Sequence, residues 1–365
     1  MQHEITQRIP LLDGEGNLTQ AGFARRLLPV YDRKKVRGGL TRLKEWDYYY
    51  IGNDRFGLAL TIADNSYMGL DSISFLSFEG KPWEVTKSPM SALPMGRTGL
   101  PSTSAAGITA SSGKKHAILF QVGEGKRQLT AHMDGFKDGR PLDAQVTLTG
   151  EPEESMVICT PFEKKAHFYY NQKINCMRAS GVVRIGEEEY RFTPEALAWS
   201  EASFGFLLFL LLWFLFVFWF VLLVWGRGLC TFLICWFWGS ASGLAEGADF
   251  GFNIGYGFGD TSAATENMLF YRGRAHKLSQ VNFGIPMKDG REDYMKPWRF
   301  TSDDGRFEMG FVPVIDRASC TDVKLIKSDQ HQVFGRFSGT VVLDGGDRLE
   351  VRDLFGFAEK VENKW

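Results

Sequence analysis

The densest cluster of polar residues and glycines runs from Gly251 to Asn267: Gly251-Phe252-Asn253-Ile254-Gly255-Tyr256-Gly257-Phe258-Gly259-Asp260, then Thr265-Glu266-Asn267. Its two carboxylates, Asp260 and Glu266, are flanked by aromatic or small residues. Burial in such company would raise a carboxyl pKa into the range of a general acid able to protonate a double bond. The plainer alternatives are that Asp260 organises a turn through bonds from neighbouring amides and that Glu266 pairs with a Lys or Arg. The glycine spacing resembles a dinucleotide loop only superficially. That fingerprint needs a third Gly three residues after Gly257, where Asp260 stands, and no strand–helix context follows, so nucleotide binding is excluded. His331, in Ser328-Asp329-Gln330-His331-Gln332, is either a general base or an ordinary surface residue. Lys296-Pro297-Trp298 and Asp316-Arg317 read as structural. No Ser-His-Asp order, metal triad or phosphate loop is present, so neither a cofactor nor a metal is expected.

The elements that must position these residues are strands. Phe252, Ile254, Tyr256 and Phe258 alternate with small or polar residues, giving a strand with one apolar face. The glycines between them let a second backbone or a ligand approach closely, or serve tight sheet curvature. If the chain binds a lipophilic molecule, Trp238, Phe252, Tyr256 and Phe258 line its cavity, with Asn253, Asp260 and Glu266 at the polar ends. Elsewhere Glu45–Tyr50 and Gly57–Ile62 flank an Asn53-Asp54 turn, and His116–Val122 and Arg127–Met133 flank Gly123-Glu124-Gly125. Gly181–Ile185 pairs with Tyr190–Phe192, Phe307–Val312 follows Ser302-Asp303-Asp304-Gly305, and Thr340–Leu343 pairs with Arg348–Val351. One short helix is predicted, Ala21–Leu28, capped by Thr19 and halted by Pro29. Arg178-Ala179-Ser180-Gly181 and Arg336-Phe337-Ser338-Gly339 repeat at an offset of 158, each leading into a hairpin. That repeat implies two similar β domains.

The 365 residues suffice for two or three domains. Hydrophobic residues make up 44% and charged residues 23%, which excludes bulk disorder. Forty glycines and 14% aromatics favour turns and strands over a helical bundle. With 42 Lys and Arg against 43 Asp and Glu, the net charge of −1 argues against a nucleic-acid partner. Five cysteines without a C-x-x-C pair read as buried hydrophobes, and the polar N-terminus carries no signal segment, so a cytoplasmic location is expected.

Phe206 to Trp225 is apolar throughout, the length of a spanning helix. Such a helix would make the chain a single-pass membrane protein, with Trp225 as interfacial anchor. A second apolar run, Leu229–Trp238, suits a strand, and the two runs could form a buried apolar hairpin. The third reading is an insert foreign to the chain. From Ala202 to Ala245 there is no Tyr, His, Gln, Asn, Lys, Asp or Glu, the seven residues whose codons carry A in the middle.

Several longer motifs resemble the bacterial domain-of-unknown-function family 2804. They are Trp238-Gly239-Ser240-Ala241-Ser242-Gly243, Thr265-Glu266-Asn267-Met268, Asp304-Gly305-Arg306-Phe307-Glu308, Tyr169 to Met177 and Gly356 to Val361. More distantly, the order Tyr-Tyr, Ser-Gly-x-Val, hairpin, Trp-Gly resembles the carotenoid hydratase and lipocalin-like (calycin) group. That resemblance implies an all-β fold of two tandem calycin-type barrels or sandwiches with a lipophilic ligand inside or between them. The expected domains are 1–195, an apolar connection over 196–228, and 229–365. The chain departs from the pattern at Val224, before Trp225-Gly226-Arg227-Gly228, where related sequences carry an acid. The enzyme alternative is acid-catalysed hydration or isomerisation of an isoprenoid or fatty chain by Asp260 and Glu266.

Overall fold

Alternating segments closed by Asn, Asp and Gly turns become antiparallel hairpins along the chain. The structure, a computed structural model, describes residues 2–37, 39–193, 220–229, 233–323 and 326–364. A six-stranded sheet orders Glu188–Phe192, Arg178–Ile185, Arg140–Thr149, Lys126–Lys137, His116–Gly123 and Gly107–Ser112. A nine-stranded sheet orders Gly22–Ala24, Met156–Pro161, Phe168–Asn175, Phe220–Leu229, Leu43–Gly52, Phe56–Asp64, Met68–Ser77 and Trp83–Lys87, with Met90–Ala92 also on Met68–Ser77. These two sheets pack face to face, and Tyr49, Leu58, Ile73, Phe120, Leu129 and Val146 belong to the shared core. We call this pair the first unit.

The second unit is one curled nine-stranded sheet: Arg274–Lys277, Met268–Tyr271, Ala248–Tyr256, Leu233–Ala245, Arg348–Lys364, Ile326–Val342, Phe307–Val323, Trp298–Ser302 and Val281–Gly284. Its concave face is filled by Phe252, Phe283, Phe300, Phe307, Phe311 and Phe337. Its outer face lies on the first unit, where Tyr50, Leu222 and Val224 meet Phe334, Phe355 and Phe357. The chain is thus all-β, as composition and strand pattern predict. The repeated motif occupies matching places: a Cβ on Gly181 would strike the Gln145 carbonyl across the ladder, and one on Gly339 would strike that of Glu308. Only glycine lets the neighbouring backbones come so close.

Three expectations differ from the structure. Ala21–Leu28 is not a helix. Gly22–Ala24 is a strand paired with Val157–Cys159, and Phe23 is buried against the second unit. Tertiary pairing overrides the weak propensity of an eight-residue segment. The spanning helix fails at its described end, while residues 206–219 lie outside the described residues. Phe220–Leu229 is a strand with a full ladder to Leu43–Gly52 on one side and to Phe168–Asn175 on the other. Neighbouring strands rather than a helix satisfy its backbone. Trp225 is no interfacial anchor but is 2% exposed, edge-on to Tyr31 and Tyr170 with the Arg227 guanidinium over its ring. Nor do the described parts of the two apolar runs pair with each other, since Leu233–Ala245 pairs within the second unit. Among the described residues no helix is long and apolar enough to cross a membrane.

Candidate functional site

Because side chains alternate across a strand, each strand of the second unit contributes to two layers. Along one register line, Gly255, Trp238, Glu359, Gln332 and Arg317 sit side by side on the outer face. The Gln332 amide donates to the Glu359 carboxylate at 2.9 Å, and Arg317 reaches both Gln332 and, across the seam, Ser74 at 2.8 Å. Trp238 donates its indole N–H to Asn253 at 2.7 Å, and Asn253 donates to the Glu266 carbonyl. The Glu266 carboxylate takes a 2.7 Å hydrogen bond from Lys173 of the first unit, whose ammonium also lies over the Trp238 ring. Both members of this ion pair are buried, 3% and 5% exposed. The lack of a side chain at Gly255 makes room for the Glu266 carboxylate. Burial pulls the Lys173 ammonium below its ordinary value, with Glu266 opposing, and burial pushes the Glu359 carboxyl up.

The residues singled out in the sequence are therefore divided. Trp238, Asn253 and Glu266 meet in this buried outer layer. Phe252 points to the other side, packed edge-on against Phe307 and Phe337, and Tyr256 stacks on Phe237 at the rim of the same interior. The strand ends at Tyr256, and Phe258 beyond it stacks on Tyr169 with ring centroids 4.4 Å apart. Asp260 is exposed and accepts the Ser262 amide at 2.9 Å, a bond that holds its carboxyl below the usual range. The expected upward shift at Asp260 is thus corrected. The residue organises a turn and is anionic near neutral pH. The structure does not bring Asp260 and Glu266 into one site.

The concave face carries a second layer, one residue along each strand. Tyr256, Phe237, Lys360, His331 and Ala318 follow one register line toward the open end of the sheet. Above it the hairpin Met287–Lys288 and Arg291–Glu292 supplies Glu292, which accepts from Lys360 at 2.8 Å and from the Tyr294 hydroxyl at 2.6 Å. Tyr294 stacks flat on the His331 ring, centroids 3.9 Å apart. His331 Nδ1 meets Asp316 Oδ2 at 2.6 Å, and burial pushes the Asp316 carboxyl up. A groove of about 650 Å³ opens here, lined by Glu292, Tyr294, Met295, Asp316 and charged residues of the hairpin.

A β-bulge places Asp316 in this layer. Pro313 pairs with Gly335 but Ile315 pairs with Phe334, so Val314 is an extra residue. Before it the odd positions Phe307, Met309 and Phe311 face inward. After it Asp316 does, while Ile315 turns to the seam between units. Bulges reverse facing in this way and recur near functional sites. In the sequence Asp316 reads as structural, and no local pattern marks Glu292 or Tyr294. The available signal was Pro313, which breaks the alternation of an otherwise regular strand. Among the described residues no three His, Cys, Asp or Glu side chains are grouped to hold a metal ion.

No curated protein matches the chain. Among solved structures, kievitone hydratase from Nectria haematococca aligns at 10% identity with a TM-score of 0.46, covering 98% of each chain. An ATTH candidate from Nitrosomonas europaea aligns at 12% identity with a TM-score of 0.40, covering 87% of this chain and 92% of that one. The family described as Domain of unknown function (DUF2804) matches residues 2–365, and the chain belongs to that family.

Proposed function

We propose that this protein binds a lipophilic small molecule with a polar end, in the groove at the open end of the second unit. The observation that carries the reading is the groove itself, with a volume in the range of small-molecule sites and with Tyr294 and Met295 set among charged groups. The apolar body lies against Tyr294 and Met295. The polar end meets the hairpin charges. The filled interior below is a poorer host. Emptying one Phe position of such a core costs about 3–5 kcal/mol.

The test is titration with cis-parinaric acid, followed by its fluorescence, on the full chain and on Tyr294→Ala and Met295→Ser. Saturable binding that weakens tenfold or more in Tyr294→Ala supports the reading. Binding that both variants leave unchanged, or no saturable binding at all, overturns it.

A further inference from the structure

Three imidazoles hydrogen-bond a carboxylate among the described residues, His116 with Asp71 at 2.8 Å, His132 and His331, and the last two make a useful contrast. His132 has both ring nitrogens occupied, by Asp143 at 2.8 Å and Asp134 at 3.1 Å, on an exposed strand. Among the described residues, His331 has only Nδ1 hydrogen-bonded, by Asp316 at 2.6 Å. Its Nε2 stands 3.7 Å from Asp329 Oδ1, beyond hydrogen-bond reach. A carboxylate on Nδ1 fixes the N–H there and leaves the Nε2 lone pair for an incoming proton. The ring cannot tilt freely, because Tyr294 covers one face in a near-parallel stack. Asp316 and Tyr294 both line the groove, so the dyad adjoins a space that accepts a small molecule.

We propose that His331 is the general base of a proton-transfer site in this groove, with Asp316 as its positioning residue. The substrate class is an apolar β,γ-unsaturated ketone, whose α C–H is acidified by the carbonyl and the neighbouring double bond. The C–H bond breaks as Nε2–H forms, and the electron pair moves into the carbonyl to give a dienolate. The same proton then returns from Nε2 to the γ-carbon, the double bond shifts into conjugation with the carbonyl, and the step is an isomerisation that needs no oxidant, reductant or second substrate. Asp316, Asp329, Glu292, Tyr294, Lys360 and Glu362 are the ionisable groups around the ring. This inference rests on the groove being the binding site.

The probe is 5-nitrobenzisoxazole, whose ring-opening elimination needs one base and releases a coloured phenoxide. Wild-type full chain is expected to exceed His331→Gln in kcat by tenfold or more, with His132→Gln at the wild-type rate. Asp316→Asn lowers kcat while KM and the melting temperature stay put, and Asp316→Glu restores part of the rate. Equal rates in wild type and a folded His331→Gln, or no wild-type turnover above buffer, overturn the proposal. Parinaric acid titration of the same samples separates the two readings. Binding retained without a difference in rate removes the base alone. A His331-dependent rate without parinaric acid binding removes the lipophilic-ligand reading alone.

Discussion

The second sheet carries two polar layers on opposite faces, built from adjacent residues of the same strands. Phe237 and Trp238, His331 and Gln332, Ala318 and Arg317, and Lys360 and Glu359 are neighbours that the pleat sends apart. The outer layer is closed by the first unit, and its Lys173–Glu266 pair is almost wholly dry. The inner layer holds comparable groups, a Lys–Glu pair and a His–Asp pair, beside an open groove. The residue types scarcely differ, so access separates the layers. A sealed ion pair fixes how two units dock, whereas the same chemistry at an opening is available to a ligand.

The sharpest way to break this comparison is to unpair the sealed layer. Lys173→Met leaves the Glu266 carboxylate buried without its cation, and unfolding by guanidinium should show a loss of about 3–5 kcal/mol. Lys173→Met with Glu266→Gln should recover most of it. A single-variant loss below about 1 kcal/mol would mean that water reaches the seam. Deleting Val314 tests the bulge itself. Pro313 and Ile315 then follow one another against Gly335 and Phe334, so Asp316 keeps the concave face and Arg317 the seam, and the loss in the same assay should stay below about 1 kcal/mol.

Much of the fold was legible in the sequence because alternation and turn chemistry are local signals. Asn53 accepts the Arg55 and Phe56 amides at 2.8 Å, so its hairpin is written within four residues. Glu266 was legible as half of an ion pair, but its partner Lys173 lies on another unit and no local pattern links them. The inner layer was hidden for a different reason. Whether Asp316 faces groove or seam depends on one inserted residue, and its partner His331 comes from the next strand. Phe220–Leu229 misled through composition. A strand buried on both faces loses its alternation and reads like a membrane segment.

A smaller effect is expected at Glu359, whose carboxyl burial pushes up. A raised folded-state pKa gives stability that is present in acid and is lost as pH rises through that value. Wild type therefore pays at neutral pH for an ionised buried carboxylate, and Glu359→Gln, which keeps the acceptor for Gln330 and Gln332, should be more stable by about 1 kcal/mol at about pH 7. The margin should shrink as pH falls to about 5. A margin constant across that range would mean that the outer layer stabilises the carboxylate as well as water does.

The smallest stability change is expected at the open layer. His331 is 27% exposed and Asp316 18%, so losing their hydrogen bond lets water replace it. His331→Gln should shift the guanidinium midpoint by no more than about 0.5 kcal/mol, within the range of ordinary surface substitutions. A loss of 2 kcal/mol or more would show that the dyad is a structural clamp holding the bulge, and would move it into the class of the sealed layer. A near-zero change leaves an imidazole oriented by Asp316 and Tyr294 that the fold does not need for stability. That is the state expected of a group kept for chemistry at the groove.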